Sequence, residues 1–183
     1  MKLYYTVSSR QDALQAKPNL SLGGFKSSSP VSNSVFNSLF GDLSLLSLER
    51  ANKEYIGLVL KDDLLQATDT IKIWLEPALN GYCKYRVAVV ELSTTNEMEA
   101  IPTLYSLPMY AEFYEVNSEE ESISIPSMIV GEMYGIWIER FIDENSEVYK
   151  KRNDPDYIVA HPELYQVKFE DPKLKVSFNV TTI

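Results

Sequence analysis

One cysteine and one histidine in 183 residues leave little raw material for catalysis. Cys83 cannot form an internal disulfide, and its place in a strand pattern predicts a buried, inert thiol. His161 builds no metal site by itself, because no second histidine or cysteine can join it. It lies beside Pro162 in a polar stretch, and no Gly-x-Ser-x-Gly occurs, so a nucleophile–base–orienter arrangement is not expected. Gly23-Gly24 lacks the further glycines and the Lys-Ser/Thr of a phosphate-cradling loop. Basic residues are also short: 17 against 26 acidic ones, for a formal net charge of −9. Nucleic-acid binding needs clustered lysine and arginine, and the one cluster, Lys150-Lys151-Arg152, reads as a solvated loop. No apolar run is long enough to span a bilayer, and Met1-Lys2-Leu3-Tyr4-Tyr5-Thr6 turns polar too early for a signal peptide. These absences predict a non-enzymatic protein without metal or cofactor, at work in the cytoplasm or in a particle assembled there.

What the chain does hold is apolar and aromatic. Hydrophobic residues make up 45%, charged ones 23% and aromatics 11%, with 12 tyrosines. That composition belongs to a folded domain, and tyrosine and tryptophan serve both strand cores and protein–protein interfaces. The sequence divides near residue 50. Residues 1–50 read as an extended N-terminal arm, rich in serine, asparagine and glycine from Ser8 to Ser47, with a short helix around Val35, Phe36, Leu39, Phe40, Leu43, Leu45 and Leu46. Leu22, Phe25, Phe36, Leu39 and Phe40 make this arm too apolar to be free, so it must pack on its own domain or on a neighbouring subunit.

From 51 to 183 the pattern is strand after strand. The expected strands are Glu54–Lys61, Thr70–Leu75, Tyr82–Glu91, Met109–Val116, Ser122–Ile125 and Met133–Ile142, with a final hairpin of Tyr165–Phe169 and Lys173–Val180. Short antiparallel-type strands at turn spacing predict an all-β fold, an immunoglobulin-like antiparallel β-sandwich, with an open barrel as the alternative. The long strand Met133–Ile142 is apolar on both faces, with Tyr134, Ile136, Ile138 and Ile142 in one row and Met133, Trp137 and Phe141 in the other. Such a strand is covered on each side or docked on another protein. Residues 143–162 form a long loop in which Tyr149, Tyr157 and His161 either meet a partner or lie on an exposed flap.

Two further constellations have competing readings. Glu112, Glu115 and Glu132 could pair as glycosidase carboxylates, but acidic residues on a strand's solvent face are the ordinary case. Asp62-Asp63 with Asp69, or Asp154 with Asp156, could bind calcium, although pairs of this kind in turns more often make Asx turns. Trp74 and Trp137 fall opposite the core rows of their strands. They lie under a loop or the arm, or they mark an oligomer contact.

Two blocks carry a resemblance. The first is Ser21-Leu22-Gly23-Gly24-Phe25-Lys26-Ser27, then Asn37-Ser38-Leu39-Phe40 and Glu54-Tyr55 through Lys61. The second is Gly131-Glu132 followed by Gly135-Ile136-Trp137-Ile138-Glu139-Arg140, with Ile71-Lys72-Ile73-Trp74-Leu75 between them. In pattern and order, over roughly residues 20–142, they resemble small virion structural proteins of tailed bacteriophages, in the acidic, tyrosine-rich style of crAss-like phages. Ile56 after Tyr55, and Ile-Glu-Arg at the end of the second block, depart from that group's pattern. The resemblance implies a sandwich with an ordered arm, localised to the virion, in which copies of the chain close a ring of the neck or tail between portal and tail. A decoration or fibre-anchoring protein on the capsid is the neighbouring alternative. A carbohydrate-binding sandwich stacking sugars on Trp74 and Trp137 is the alternative of another class. As subunit-interface candidates the sequence offers Leu22, Phe25, Phe36, Leu39, Phe40, Trp74, Trp137, Arg140, Tyr149 and Tyr157.

Overall fold

A computed structural model describes residues 1–32, 39–40, 53–64, 66–76, 83–162 and 173–180. The described strands are β1 (Lys2–Val7), β2 (Gly24–Pro30), β3 (Glu54–Lys61), β4 (Thr68–Glu76), β5 (Cys83–Glu91), β6 (Glu97–Met98), β7 (Ile123–Met128), β8 (Met133–Ile142) and β9 (Lys173–Val180). All their ladders are antiparallel. Six form one sheet in the order β5-β8-β3-β1-β2-β6, and three form a second in the order β7-β4-β9. The all-β expectation holds, with two sheets in a curled, sandwich-like arrangement. The six-and-three division differs from the four-and-three of an immunoglobulin constant domain.

Alternation along the strands makes the core. Ile56, Leu58 and Leu60 of β3, Val87 of β5 and Ile136 and Ile138 of β8 meet Ile71, Ile73 and Leu75 of β4 and Ile125 of β7. Burial of such side chains stabilises by about 1.5–3 kcal/mol each. One edge of the sandwich is stitched shut by a segment between the sheets. Tyr114 exchanges backbone bonds with Val87 of β5, and the Val116 carbonyl accepts from Leu75 of β4 at 2.8 Å. Met109–Val116 is therefore not the strand its alternation suggested. Pro108 stands immediately before the run, and the Glu99 carboxylate accepts the backbone N–H groups of Met109 and Tyr110 at 3.1 and 3.2 Å, donors that a strand would spend on its ladder. β7, an edge strand of the small sheet, carries a different device: Pro126 in its middle removes a ladder donor, as edge strands tolerate.

The arm expectation is corrected for the first 32 residues, which are part of the sandwich. β1 pairs with β3 from Lys2↔Lys61 to Tyr5↔Leu58, and β2 pairs with β1. Leu3 and Tyr5 alternate into the core as any inner-row residues do. Leu39 and Phe40 are buried in the same core. Phe36 and the rest of the expected short helix lie outside the described residues, as do Tyr165–Phe169.

An ion pair ties the N-terminus to the β3–β4 turn. Asp63 meets the Met1 ammonium and the Lys2 Nζ, each at 2.8 Å. Partial burial alone would raise its carboxyl, but Lys2 and the N-terminal ammonium outweigh that and hold it at about 2. A depressed carboxyl stabilises the fold above its unfolded value near 4 and loses that contribution as pH falls through about 2. Asp63→Asn is therefore expected to remove about 1 kcal/mol at neutral pH, discounted for solvent screening. It should also flatten the stability decline between about pH 4 and 2, read by urea denaturation at a series of pH values. An unchanged acid limb in the variant would contradict this.

Candidate interaction surface

The outer face of the six-stranded sheet carries the second row of β8, and a strap of irregular chain covers it. Trp137 is 1% exposed and packs with Tyr55, Ala88, Met98 and Ile101. Its ring lies across Gly57 of β3, where an added Cβ would come within 3.1 Å of the ring and of the Gly23 nitrogen. Gly135 makes similar room for Val90, Leu92 and Met98. The strap, residues 99–122, is fastened along its length. Ile101 N–H donates to the Leu22 carbonyl at 2.9 Å, and the Leu104 carbonyl accepts from Tyr55 at 2.8 Å. The Leu104 bond continues the edge of β3 beyond its pairing with β1.

Gly23 and Gly24, both at positive φ, bring residues 21–24 against the strap and against β1. Around them Thr6, Ser21 and the Gly57 carbonyl form a buried polar network. Thr6 N–H donates to Ser21 Oγ at 2.8 Å, Ser21 Oγ donates to the Gly57 carbonyl at 2.6 Å, and Gly23 N–H donates to Thr6 Oγ1 at 2.9 Å. The conspicuous Gly-Gly pair is thus a close-packing device between β1, β3 and the strap.

Ile101, Ala111 and Phe113 of the strap turn inward onto this cluster. Its outward side is also apolar: Tyr105, Leu107, Met109, Tyr110 and Tyr114 are all exposed, Met109 at 75% and Tyr110 at 79%. At roughly 200 Å² for a full side chain, these five present on the order of 600 Å² to solvent. Isolated exposed apolar residues need no explanation, but five from one ten-residue segment make this side of the strap the candidate interaction surface. The sequence reading missed them because Tyr105 to Tyr110 shows no period; the visible signal was Pro108 inside an aromatic-rich run.

Beside the strap lies a groove with a cavity of about 440 Å³, lined by Val90, Met98, Ala100, Tyr110 and the Trp137 edge, with Glu91, Glu97 and Glu99 around it.

The residues nominated from sequence are distributed widely. Trp137 is enclosed by its own chain, as the loop-covered reading expected, and offers no sugar-stacking platform. Trp74 is half-buried opposite the core row of β4, across the ladder from Lys175 of β9. Leu22 is half-buried under the strap and Phe25 is half-buried on β2. Leu39 and Phe40 are core residues. Arg140 falls on the inner row of β8 and is 2% exposed, so it is an interior residue. Its Nη2 and Nε reach Glu54 Oε2 at 2.5 and 2.7 Å, its Nη2 donates to the Phe40 carbonyl at 3.3 Å, and its guanidinium lies 4.8 Å from the Phe40 ring centre. Arg140, Trp137, Leu39 and Phe40 are spent on intramolecular packing.

Tyr149 and Tyr157 are half-buried in the long loop, which holds two short helices, α1 (Glu147–Lys150) and α2 (Pro155–Ala160), capped by Ser146 and Asp154. Their rings are engaged locally, by the Arg152 guanidinium at 3.8 Å and by the Lys151 ammonium at 4.8 Å.

The remaining chemical candidates resolve into local structure. Glu132 accepts from Ile129 N–H at 2.8 Å in its own turn, and Glu112 lies beside the Tyr114 hydroxyl, raising the phenol's pKa. Asp62 is buried and accepts from Leu64 N–H and Thr68 Oγ1, an Asx-type turn. Among the described residues, no group of three or more His, Cys, Asp or Glu is placed to hold a metal ion, and no helix is long and apolar enough to cross a membrane.

On the outer face, Glu139 is 1% exposed. It accepts from the Tyr55 hydroxyl at 3.0 Å and pairs with Lys53 at 3.2 Å and with Arg86. Burial first, and then this carboxylate, push the Tyr55 hydroxyl well above the ordinary phenol range. The cluster locks β3, β5 and β8 together and leaves no reactive group unpaired among the residues it joins. Compared with protein-family models, with curated proteins and with solved structures, the chain shows no match to any.

Proposed function

We propose that this chain is a structural component of a tailed-phage virion, a multimeric ring or connector protein of the neck or tail that links portal and tail and is assembled in the host cytoplasm. The observation that supports an assembly role is the outward apolar side of the strap, Tyr105 to Tyr114, held on a rigid sheet. Head-to-tail contacts between copies would close a ring, and such contacts need an apolar patch that is fixed in place before assembly. The resemblance over residues 20–142 supplies the phage context. Several of its residues (Gly23, Gly24, Tyr55, Gly57 and Trp137) hold the strap and its support.

The test is the solution mass of the full chain by light scattering, beside the pair of substitutions Met109→Glu and Tyr110→Glu. The expected result is a mass well above the 20.9 kDa of one copy that collapses to a monomer in the variant, with the circular dichroism unchanged. A wild-type monomer at every concentration, together with absence of the chain from purified particles by mass spectrometry, would sink the reading. Presence in particles with capsid-surface labelling would move the protein to a decoration role.

A further inference from the structure

We infer that the outer edge of β9 pairs with the same edge of a second copy of this chain, antiparallel across a two-fold axis centred on Val176. The direction of its backbone groups follows from one bond. Leu75 N–H donates to the Val116 carbonyl at 2.8 Å, and in an antiparallel strand a residue's N–H and C=O point to the same side. Leu75 therefore faces away from β9, and Leu174 opposite it turns its own N–H and C=O away from β4. Period two carries Val176 and Phe178 the same way. Among the described residues β9 has no ladder beyond β4, and no bond reaches these outward groups. The same parity turns Ile123 and Ile125 of β7 toward β4, and Ser124 and Pro126 outward. The β7 edge is thus blunted by a missing donor, a protection that β9 lacks.

The side chains of Leu174, Val176 and Phe178 belong to the inner row. With Leu3, Val31 and Leu60 they line a cavity of about 440 Å³ on this flank of the sandwich. Val176 and Phe178 are only half-buried, whereas Ile71 and Ile73 of the neighbouring β4 are fully covered. A strand added beside β9 extends the small sheet over the flank and covers both.

Charge makes β9 complementary to itself in this register. With Val176 opposite the partner's Val176, Leu174 meets the partner's Phe178. Each outward residue then pairs with an outward residue, and two bonds per pair give about six in all. On the outer row Lys175 stands opposite the partner's Ser177. Ser177 Oγ donates to Glu119 Oε1 at 3.4 Å, so each Lys175 gains a carboxylate of the other copy as neighbour. Moving the axis one residue back sets Lys175 on the partner's Lys175, and one residue forward brings the two Glu119 carboxylates together. Like charges disfavour both slips. The pairing is small beside the roughly 800 Å² per partner of a stable interface, so it forms in concentrated and not in dilute solution. It uses no strap residue, and failure of either reading leaves the other standing.

The experiment is disulfide trapping of the full chain in concentrated solution with oxidised glutathione. On a Cys83→Ser background, Lys175→Cys, Val176→Cys and Ser177→Cys are compared on non-reducing gels. Two residues in a hydrogen-bonded pair have Cα atoms about 5.5 Å apart, within the roughly 4.4–6.8 Å that a disulfide spans. Positions 175 and 177 lie diagonal to their own copies, at about 7–8 Å. The expected result is linking at 176 about tenfold or more above 175 and 177, unchanged when Met109→Glu and Tyr110→Glu are added. Amide exchange reads the same edge without substitution. Lys175 and Ser177, bonded to β4, should be protected at every concentration, and Val176 and Phe178 in concentrated solution alone. Equal linking at all three positions would mean random collision and would overturn the proposal. So would a Val176 amide protected in the dilute monomer, because the edge would then be covered by its own chain.

Discussion

Trp137→Ala is expected to lower the unfolding free energy by about 3–5 kcal/mol, the usual range for deleting a buried aromatic side chain. Trp137 is the largest side chain under the strap. Its removal leaves Gly57, which has no side chain of its own, facing a void between Tyr55, Met98 and Ile101. For a chain of this length that corresponds to a fall in melting temperature of roughly 10 °C or more. Trp137→Phe keeps a ring over Gly57 and should recover most of the loss, leaving about 1–2 kcal/mol. Urea denaturation of both variants measures this directly. With Trp74→Phe as background, the remaining emission reports Trp137 alone, and it should be blue-shifted and poorly quenched by acrylamide. A loss below about 1 kcal/mol in Trp137→Ala, or an emission fully open to acrylamide, would mean that the strap does not cover the ring in solution.

Gly23→Ala is the second large effect, and Gly131→Ala is its internal control. Both glycines have nearly the same backbone, with φ of 84° and 86°. An alanine in that left-handed region costs about 1–2 kcal/mol from its own Cβ. At Gly131 nothing lies within 4 Å of the added carbon, so that strain is the whole expectation. At Gly23 the added carbon would lie 1.8 Å from the Glu99 carbonyl oxygen, a backbone atom that cannot rotate away. The strap must then lift from residues 21–24, stretching the bond from Ile101 to the Leu22 carbonyl and disturbing the network of Thr6 and Ser21. The loss expected for Gly23→Ala is therefore about 3 kcal/mol or more. Thermal melts of the two variants side by side test it. Equal losses would remove the case for a tight strap contact, because only that contact distinguishes the two sites.

How far each feature was legible follows from the range of the interactions that make it. Period-two alternation is a local property. It placed β3 at Glu54–Lys61 and β8 at Met133–Ile142 with the bounds later observed, and β4 and β5 within a few residues. The same local rule misassigned Met109–Val116, whose backbone groups go to the distant Glu99 carboxylate, to Val87 in a single bridge and to Leu75 instead of to one ladder. It passed over β1, whose strand identity rests on pairing with β3 more than fifty residues later. Arg140 shows the limit most clearly. Its place on the inner row is set by strand period, yet only the register Glu54↔Arg140 shows that it carries its counter-charge into the interior.

By itself, then, the sequence determined the all-β class, the short supply of catalytic groups and most strand positions, because composition and alternation need no knowledge of what lies opposite. Only the tertiary structure decided that residues 2–7 and 24–30 are sheet strands, that the strap covers Trp137 on the outer face, that Arg140 meets Glu54 in the interior, and that the strap leaves its aromatic side open to solvent. Those outcomes depend on which strand neighbours which and on two glycines whose missing side chains let distant segments touch, relations between parts of the chain that no local pattern records.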